Sequence, residues 1–323
     1  MARAAPRRIL LTGASGFVGR GLLAAGLARA DLCWRVAVRR PVPLPPGVEA
    51  ITAPLDAPGD WSAALAGVDA VIHLAACHRR GASARELERV NVQGTALLAR
   101  AAAAAGVRRF ILVSSLKAMG EESPPGRPWR GDEPARPTSA YGRSKLAAEE
   151  AARDALADRS ELVVVRPPLV YGPGVGGLFG RLLRWLDRGL PLPDSRAARS
   201  FVALPNLADL LLILLDHPAA PERIWLAADS PPMALRRWLA ALARRLHRPL
   251  RLLPEPTTRP LGRLAPGFAS RWWQPLAVDP TPLAALGWQP PLSRRTALSA
   301  TVAALRGELP WGVGRVKRSP DEA

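Results

Sequence analysis

Short apolar runs alternate along the first two-thirds of the chain with longer stretches whose apolar residues recur every three or four positions. The runs "RRILLTG" (7–13), "WRVAVRR" (34–40), "DAVIHLAA" (69–76), "RRFILVSS" (108–115) and "ELVVVRPP" (161–168) read as strands, with a further strand before "ITAPLD" (51–56). Between them, 17–30, 61–67, 83–106 and 138–157 read as helices. Gly106 closes the third, and Thr138 or Ser139 caps the fourth. Near-continuous apolar strands separated by helices describe a parallel sheet covered on both faces. The fold class is therefore α/β, a doubly wound parallel sheet of the Rossmann type.

Beyond Pro167 the pattern loosens and Gly, Pro and Trp become frequent. Residues 200–217 read as one more strand and helix, 232–247 as an arginine-rich helix, and 281–287 as a short helix. We expect a dinucleotide-binding domain over 1–168, to which 200–227 return. A smaller, interleaved substrate-binding part takes 169–199 and 228–309, and 310–323 form a loose tail.

Composition narrows the class. At 48% hydrophobic residues the chain buries a real core. The longest apolar run, "LADLLLILLDH" (207–217), is about half of a bilayer span. The start, "MARAAPRRILLTG", leads into a glycine turn and reads as a first strand, not a signal peptide. Cys33 should precede the second strand and Cys77 follow the fourth, at opposite ends of the sheet. We expect free thiols, a reducing compartment and a cytoplasmic location. His73, His78, His217 and His247 have no metal-site spacing, so no metal is expected. The net charge of +18 is spread along the chain, and only Lys117, Lys145 and Lys317 among its 45 basic residues are lysine. That is the mark of a GC-rich coding bias rather than of a nucleic-acid platform, although it also suits an anionic membrane surface or a polyanionic substrate.

The chemistry concentrates at strand ends. "TGASGFVGR" (12–20) sets Gly13, Gly16 and Gly19 between a first strand and a first helix, where a backbone approaches a pyrophosphate at the helix N-terminus. Arg39 and Arg40 end the second strand, where an acidic residue would hold ribose hydroxyls; arginine there favours NADP over NAD. Ser114 and Ser115 end the strand of "ILVSSLKAMG" (111–120). Tyr141 and Lys145 stand one helical turn apart, on one face. An ammonium beside a phenol is expected to lower its pKa and suit it to proton transfer. Two tyrosines and three lysines in the whole chain make the pairing hard to assign to chance.

Together, "TGASGFVG", "DAVIHLAA", "NVQGT", "LVSSLKAMG", "YGRSK", "RPPLVYGPG", "RSFVALPNLADL" and "VDPTPLAALGW" resemble the extended short-chain dehydrogenase/reductases, the NAD(P)-dependent epimerase/dehydratase family. The likeness is greatest to bacterial UDP-sugar 4-epimerases and UDP-4-keto-sugar reductases of surface-polysaccharide pathways. It implies Tyr141 as acid/base, Lys145 as its electrostatic tuner and ribose ligand, and Ser115 as the second hydroxyl on the substrate oxygen. It further implies cofactor contacts at Gly13, Ser15, Gly16, Phe17, Val18, Gly19, Arg39, Arg40, Leu55, Leu74, Ala75, Ala76, Asn91, Tyr141, Lys145 and Pro168. Arg199 and Arg271 are implied on the diphosphate of a UDP-sugar, and a homodimer through 83–105 and 138–157. The chain departs from the family at Pro54, near Asp56, where an adenine-binding aspartate is usual. It departs again at Leu169 and Leu178, where nucleotide-sugar members carry asparagine. Those two leucines leave open a reductase of a non-nucleotide ketone. A non-catalytic dinucleotide-binding protein is disfavoured by the intact Ser115, Tyr141 and Lys145.

Overall fold

The structure is a computed structural model and describes residues 5–55, 60–79, 81–258 and 272–308. In chain order the elements are β1 (Arg7–Thr12), α1 (Phe17–Gly26), β2 (Leu32–Val38), β3 (Val48–Thr52), α2 (Ser62–Leu65), β4 (Ala70–His73) and α3 (Ala84–Leu87). α3 continues through a π-helical segment, Glu88–Gln93, into α4 (Gly94–Ala104). Then follow β5 (Arg109–Val113), α5 (Ala140–Leu156), β6 (Glu161–Arg166), β7 (Leu169–Tyr171), α6 (Gly177–Asp187), β8 (Leu192–Pro193), β9 (Ala198–Arg199) and β10 (Phe201–Ala203). The chain goes on through α7 (Leu204–Leu214), β11 (Ile224–Leu226), β12 (Met233–Ala234), α8 (Leu235–Arg245), β13 (Leu252–Leu253) and α9 (Glu255–Thr258). A 3₁₀ turn, Thr281–Leu286, and a helix, Arg294–Leu305, complete the described elements.

Seven strands make one parallel sheet in the order β11-β6-β5-β4-β1-β2-β3. The period of two along β1 sorts its side chains: Ile9 and Leu11 enter the core under α1 and α7, and Leu10 the core under α4 and α5. The order reverses between β1 and β4, so the loops leaving their carboxyl ends part there and open a crevice. A third core, built on Tyr171, Phe179, Leu183 and Trp238, holds α6 and α8 together. Trp238 stacks on Phe201 with centroids 4.2 Å apart, which ties that core to β10.

Some expectations shift. α1 ends at Gly26, because Leu27 to Leu32 turn directly into β2. Cys33 lies inside β2 rather than before it, and both cysteines are free. β6 stops at Arg166, since the prolines that follow lack the N–H a ladder needs. The segment 281–287 is a 3₁₀ turn closed by Gly287 at φ 58°. α6 and the helix Arg294–Leu305 carry no expectation above: alanine, serine and arginine blur the apolar period of the second, while α6 has a clear one, with Phe179, Leu183 and Leu186 buried. Among the described residues no helix is long and apolar enough to cross a membrane. The expected tail, 310–323, lies outside the described residues.

Candidate active site

The crevice is lined first by the turn after β1. Gly13 sits at φ +73°, and a Cβ there would meet the Ala75 backbone nitrogen at 2.8 Å. A Cβ on Gly19 would lie 2.2 Å from the Gly13 carbonyl oxygen, so α1 packs against the turn with no room for a side chain. Gly16 begins α1 with no side-chain cap, and the first turn holds no acidic residue. The amino end of α1 thus offers its N–H groups beside exposed Ser15 and Gly16 and half-buried Phe17 and Val18. These residues fit the pyrophosphate of a dinucleotide.

The other expected cofactor residues surround this turn. Leu74 N–H donates to the Thr12 carbonyl at 3.3 Å and Ala75 N–H to Thr12 Oγ1 at 3.2 Å; Ala76 follows. Arg39 and Arg40 stand exposed just past β2. Leu55 is buried, its carbonyl 2.8 Å from where a Cβ of Gly94 would be. Pro168 is buried past the end of β6. Asp56 lies outside the described residues.

Asn91, 1% exposed, lies in the π-helical segment and stitches the loop after β4 to α5. Its Oδ1 accepts from Cys77 N–H at 2.6 Å, and its Nδ2 donates to the Cys77 carbonyl at 3.0 Å and Ser144 Oγ at 2.9 Å. Beneath it, His73 bridges Thr12 Oγ1 at 2.7 Å and Thr95 Oγ1 at 3.0 Å. Burial, and then the charge of Lys145, push its pKa down to about 3, so it stays neutral.

At the carboxyl end of β5 the two serines separate. Ser114 is buried and donates to the Glu149 carboxylate. Ser115 is half-buried, accepts from Lys117 N–H at 3.2 Å and hydrogen-bonds the Tyr141 hydroxyl. Geometry therefore selects Ser115. Ser139 caps α5 through Gly142 N–H at 3.0 Å, which sets Tyr141 in the first turn. The expected lowering of the tyrosine pKa is not found. Burial pushes it up to about 12, with Ser115 opposing. The physical reason is burial of the hydroxyl; Lys145 Nζ meanwhile donates to the Val113 carbonyl at 3.0 Å. Burial pulls Lys145 down to about 8, with Glu149 opposing.

Arg199 is half-buried in β9, and burial lowers its pKa to about 10, with the Glu122 charge opposing. Glu122 lines a pocket of about 610 Å³, with Gly120, Arg127, Thr138 and Gln274 among others. Arg271 lies outside the described residues. Sequence reasoning missed Glu149 and Arg166; the only available signal was Glu149 at one more turn beyond Lys145. It also missed the Lys117–Glu121 pair, whose carboxylate accepts from Ser139 N–H at 3.2 Å and so links the Ser115 turn to α5.

Residues 9–227 match the model of the NAD dependent epimerase/dehydratase family. The chain belongs to this family. As a member of the epimerase/dehydratase family it is an NAD(P)-dependent enzyme of the extended short-chain dehydrogenase/reductase type. It is 34% identical to a UDP-glucose 4-epimerase of Vibrio cholerae over 94% of this chain and 96% of that protein. It is 41% identical to a ceramide reductase of Caulobacter vibrioides over 66% of this chain and 61% of that one. Among solved structures, the Bordetella bronchiseptica enzyme WbmG, in complex with NAD and UDP, superposes with a TM-score of 0.77 at 20% identity, covering 95% of this chain and 96% of that chain. That likeness bears on the fold.

Proposed function

We propose that this enzyme is an NAD(P)-dependent nucleotide-sugar 4-epimerase or 4-ketoreductase, acting at a secondary alcohol or ketone of a UDP-linked hexose in surface-polysaccharide precursor synthesis. The observation that carries the reading is the meeting of Ser115 and Tyr141 at the carboxyl end of β5, with an open pocket whose lining includes Thr138, just before α5. The end-to-end similarity to a UDP-glucose 4-epimerase supports it.

In this reading the α1 turn and Lys145 hold the dinucleotide, which supplies the hydride acceptor and donor, while buried Asn91 steadies the cofactor region by fixing the loop after β4. Arg39 and Arg40 tilt the choice to NADP. Tyr141 takes the proton of the sugar hydroxyl and gives it back, while Ser115 hydrogen-bonds the oxygen as its charge changes. A phenol raised to about 12 is protonated near neutral pH, the form in which it hydrogen-bonds a ketone oxygen. As a base it needs positive charge nearby, which Lys145 supplies once it is turned from Val113. Arg199 takes the diphosphate. The substrate-binding part is 169–199 with 228–309, and the working unit is a cytoplasmic homodimer.

Exposure of Leu169 at 43% and Leu178 at 46% favours a second reading, a reductase of a less polar ketone, which the ceramide reductase likeness also supports. Incubation of UDP-glucose and UDP-N-acetylglucosamine with trace NAD, followed by NMR, separates the two. Interconversion at C4 without net cofactor consumption is expected. Stoichiometric NADPH oxidation by a lipid-like ketone, with every UDP-sugar inert, would overturn the first reading.

A further inference from the structure

Six large apolar side chains are exposed among the described residues, and three of them, Leu178, Trp185 and Leu190, belong to α6 and the turn that closes it. Helical spacing explains the arrangement. Phe179, Leu183 and Leu186 point into the third core. Trp185, and Leu190 past the helix end, form a line outside that core, whereas half-buried Leu182 packs against it. Arg181, Arg184 and Arg188, all exposed, form a second line along its flank. The outer side has no carboxylate: Asp187 lies off it and pairs with Arg248 at 3.7 Å.

The indole of Trp185 is held in a definite pose. Its Nε1–H donates to the Pro191 carbonyl at 2.9 Å, while Leu190 N–H returns to the Trp185 carbonyl at 3.3 Å. The polar edge of the ring is satisfied within the protein, yet the residue is 47% exposed. A ring so placed presents hydrocarbon outward without asking its surroundings for a hydrogen bond.

We propose that the outer face of α6 and its closing turn docks the enzyme on an anionic phospholipid surface. Tryptophan and leucine rimmed by arginine match a headgroup layer, in which apolar groups enter the acyl boundary and guanidinium groups meet phosphate. The net charge of +18 adds long-range attraction. A second copy is a poor occupant. A two-fold interface on this face would set three arginines against the same three arginines. β7 joins α6 to the edge of the active site, because Pro167, two residues before β7, accepts from Leu116 N–H at 2.9 Å beside Ser115. Docking there would hold the site close to the bilayer, and the proposal does not depend on which substrate is turned over.

Co-sedimentation of the full chain with vesicles tests it. Binding to phosphatidylglycerol–phosphatidylcholine vesicles, and little to phosphatidylcholine alone, is expected. Trp185→Ser with Leu190→Ser should weaken partitioning at least about tenfold, the scale of losing two inserted apolar side chains. Arg181→Gln, Arg184→Gln and Arg188→Gln together should weaken it comparably. The same exchange at Arg237, Arg244 and Arg295, exposed elsewhere, should change it less than about threefold. A circular-dichroism melt checks each fold, and the arginine triple, confined to the surface, serves if the apolar pair misfolds. Equal losses in both arginine triples, or an unaffected apolar pair, would reduce binding to diffuse charge and overturn the proposal. So would a fall in solution mass of the apolar pair with vesicle binding unchanged, which would make this face a contact between copies.

Discussion

Glu149 and Arg166 face each other inside the protein, Nε to Oε1 at 3.0 Å and Nη2 to Oε2 at 2.5 Å, with both residues 2% exposed. Glu149 is one turn beyond Lys145 on α5 and also accepts from Ser114; Arg166 ends β6 and reaches Met119 Sδ at 2.6 Å. The pair therefore clamps the helix of Tyr141 to the sheet edge that carries Ser115.

Breaking that clamp from one side should be costly. Glu149→Gln leaves a buried guanidinium uncompensated, and about 3–5 kcal/mol of stability should be lost. Glu149→Leu combined with Arg166→Met should recover most of it, because desolvating two charges offsets much of their attraction. Urea unfolding of Glu149→Leu, Arg166→Met and the double variant forms the cycle. A single-variant cost below about 1 kcal/mol would show the pair to be dispensable.

His73 should make the enzyme acid-labile. Its pKa is near 3 in the fold and near 6.5 when unfolded, so below 6.5 only the unfolded state takes up the proton. Its contribution to stability is complete above pH 6.5 and declines as pH falls toward 3, by about 1.4 kcal/mol per pH unit. His73→Gln keeps a side chain able to bridge Thr12 and Thr95 but removes the titration. Melting temperatures of wild type and variant, taken between pH 7 and pH 4.5, should converge as pH falls, with the wild type losing more. Parallel curves would place the titration elsewhere.

Tyr141→Phe should fold and bind dinucleotide but lose turnover by about 10²–10⁴-fold, as expected for a positioned proton-transfer group. Thermal shifts with NAD and NADP report the binding and a turnover assay the loss. Full activity in the variant would remove Tyr141 from the mechanism.

The parts legible in the sequence were those with a local signature. The glycine turn, the apolar strands and the Tyr141–Lys145 spacing each declare themselves within a few residues. Ser115 was separable from Ser114 only through family likeness, because the difference lies in which hydroxyl meets Glu149, a contact 35 residues away. Arg166 is one arginine among 42 and nothing local marks it as buried. The tyrosine pKa is opposite in sign to the expectation because spacing placed Lys145 on the right face but could not show how deeply the Tyr141 hydroxyl is buried.

Arg39 and Arg40 are exposed past β2, free to meet a 2′-phosphate. Replacing both with alanine should weaken NADP more than NAD, as read by titration of cofactor fluorescence or by thermal shift. Equal weakening, or none, would leave them as part of the basic background.

The proposed homodimer would join two copies through α4 and α5. Their alanines do not all serve it. Ala99, Ala102, Ala148 and Ala152 are 0% exposed and Ala103 8%, packed within their own subunit. Ala103→Glu would therefore unfold the protein rather than report on an interface. Leu97 and Ala101 also pack against the core of their own subunit, which leaves half-buried Ala147 and Ala151 of α5 to pair across a two-fold axis. Light scattering at micromolar concentration should give twice 34.5 kDa, and a mass near 34.5 kDa would sink the dimer. Ala147→Glu or Ala151→Glu should split it, since a carboxylate in a helix seam has no partner to offset its lost hydration. Tyr141 and Lys145 ride on the same helix, so activity should fall with the mass. Loss of activity in a variant that stays dimeric would locate the damage in α5 itself.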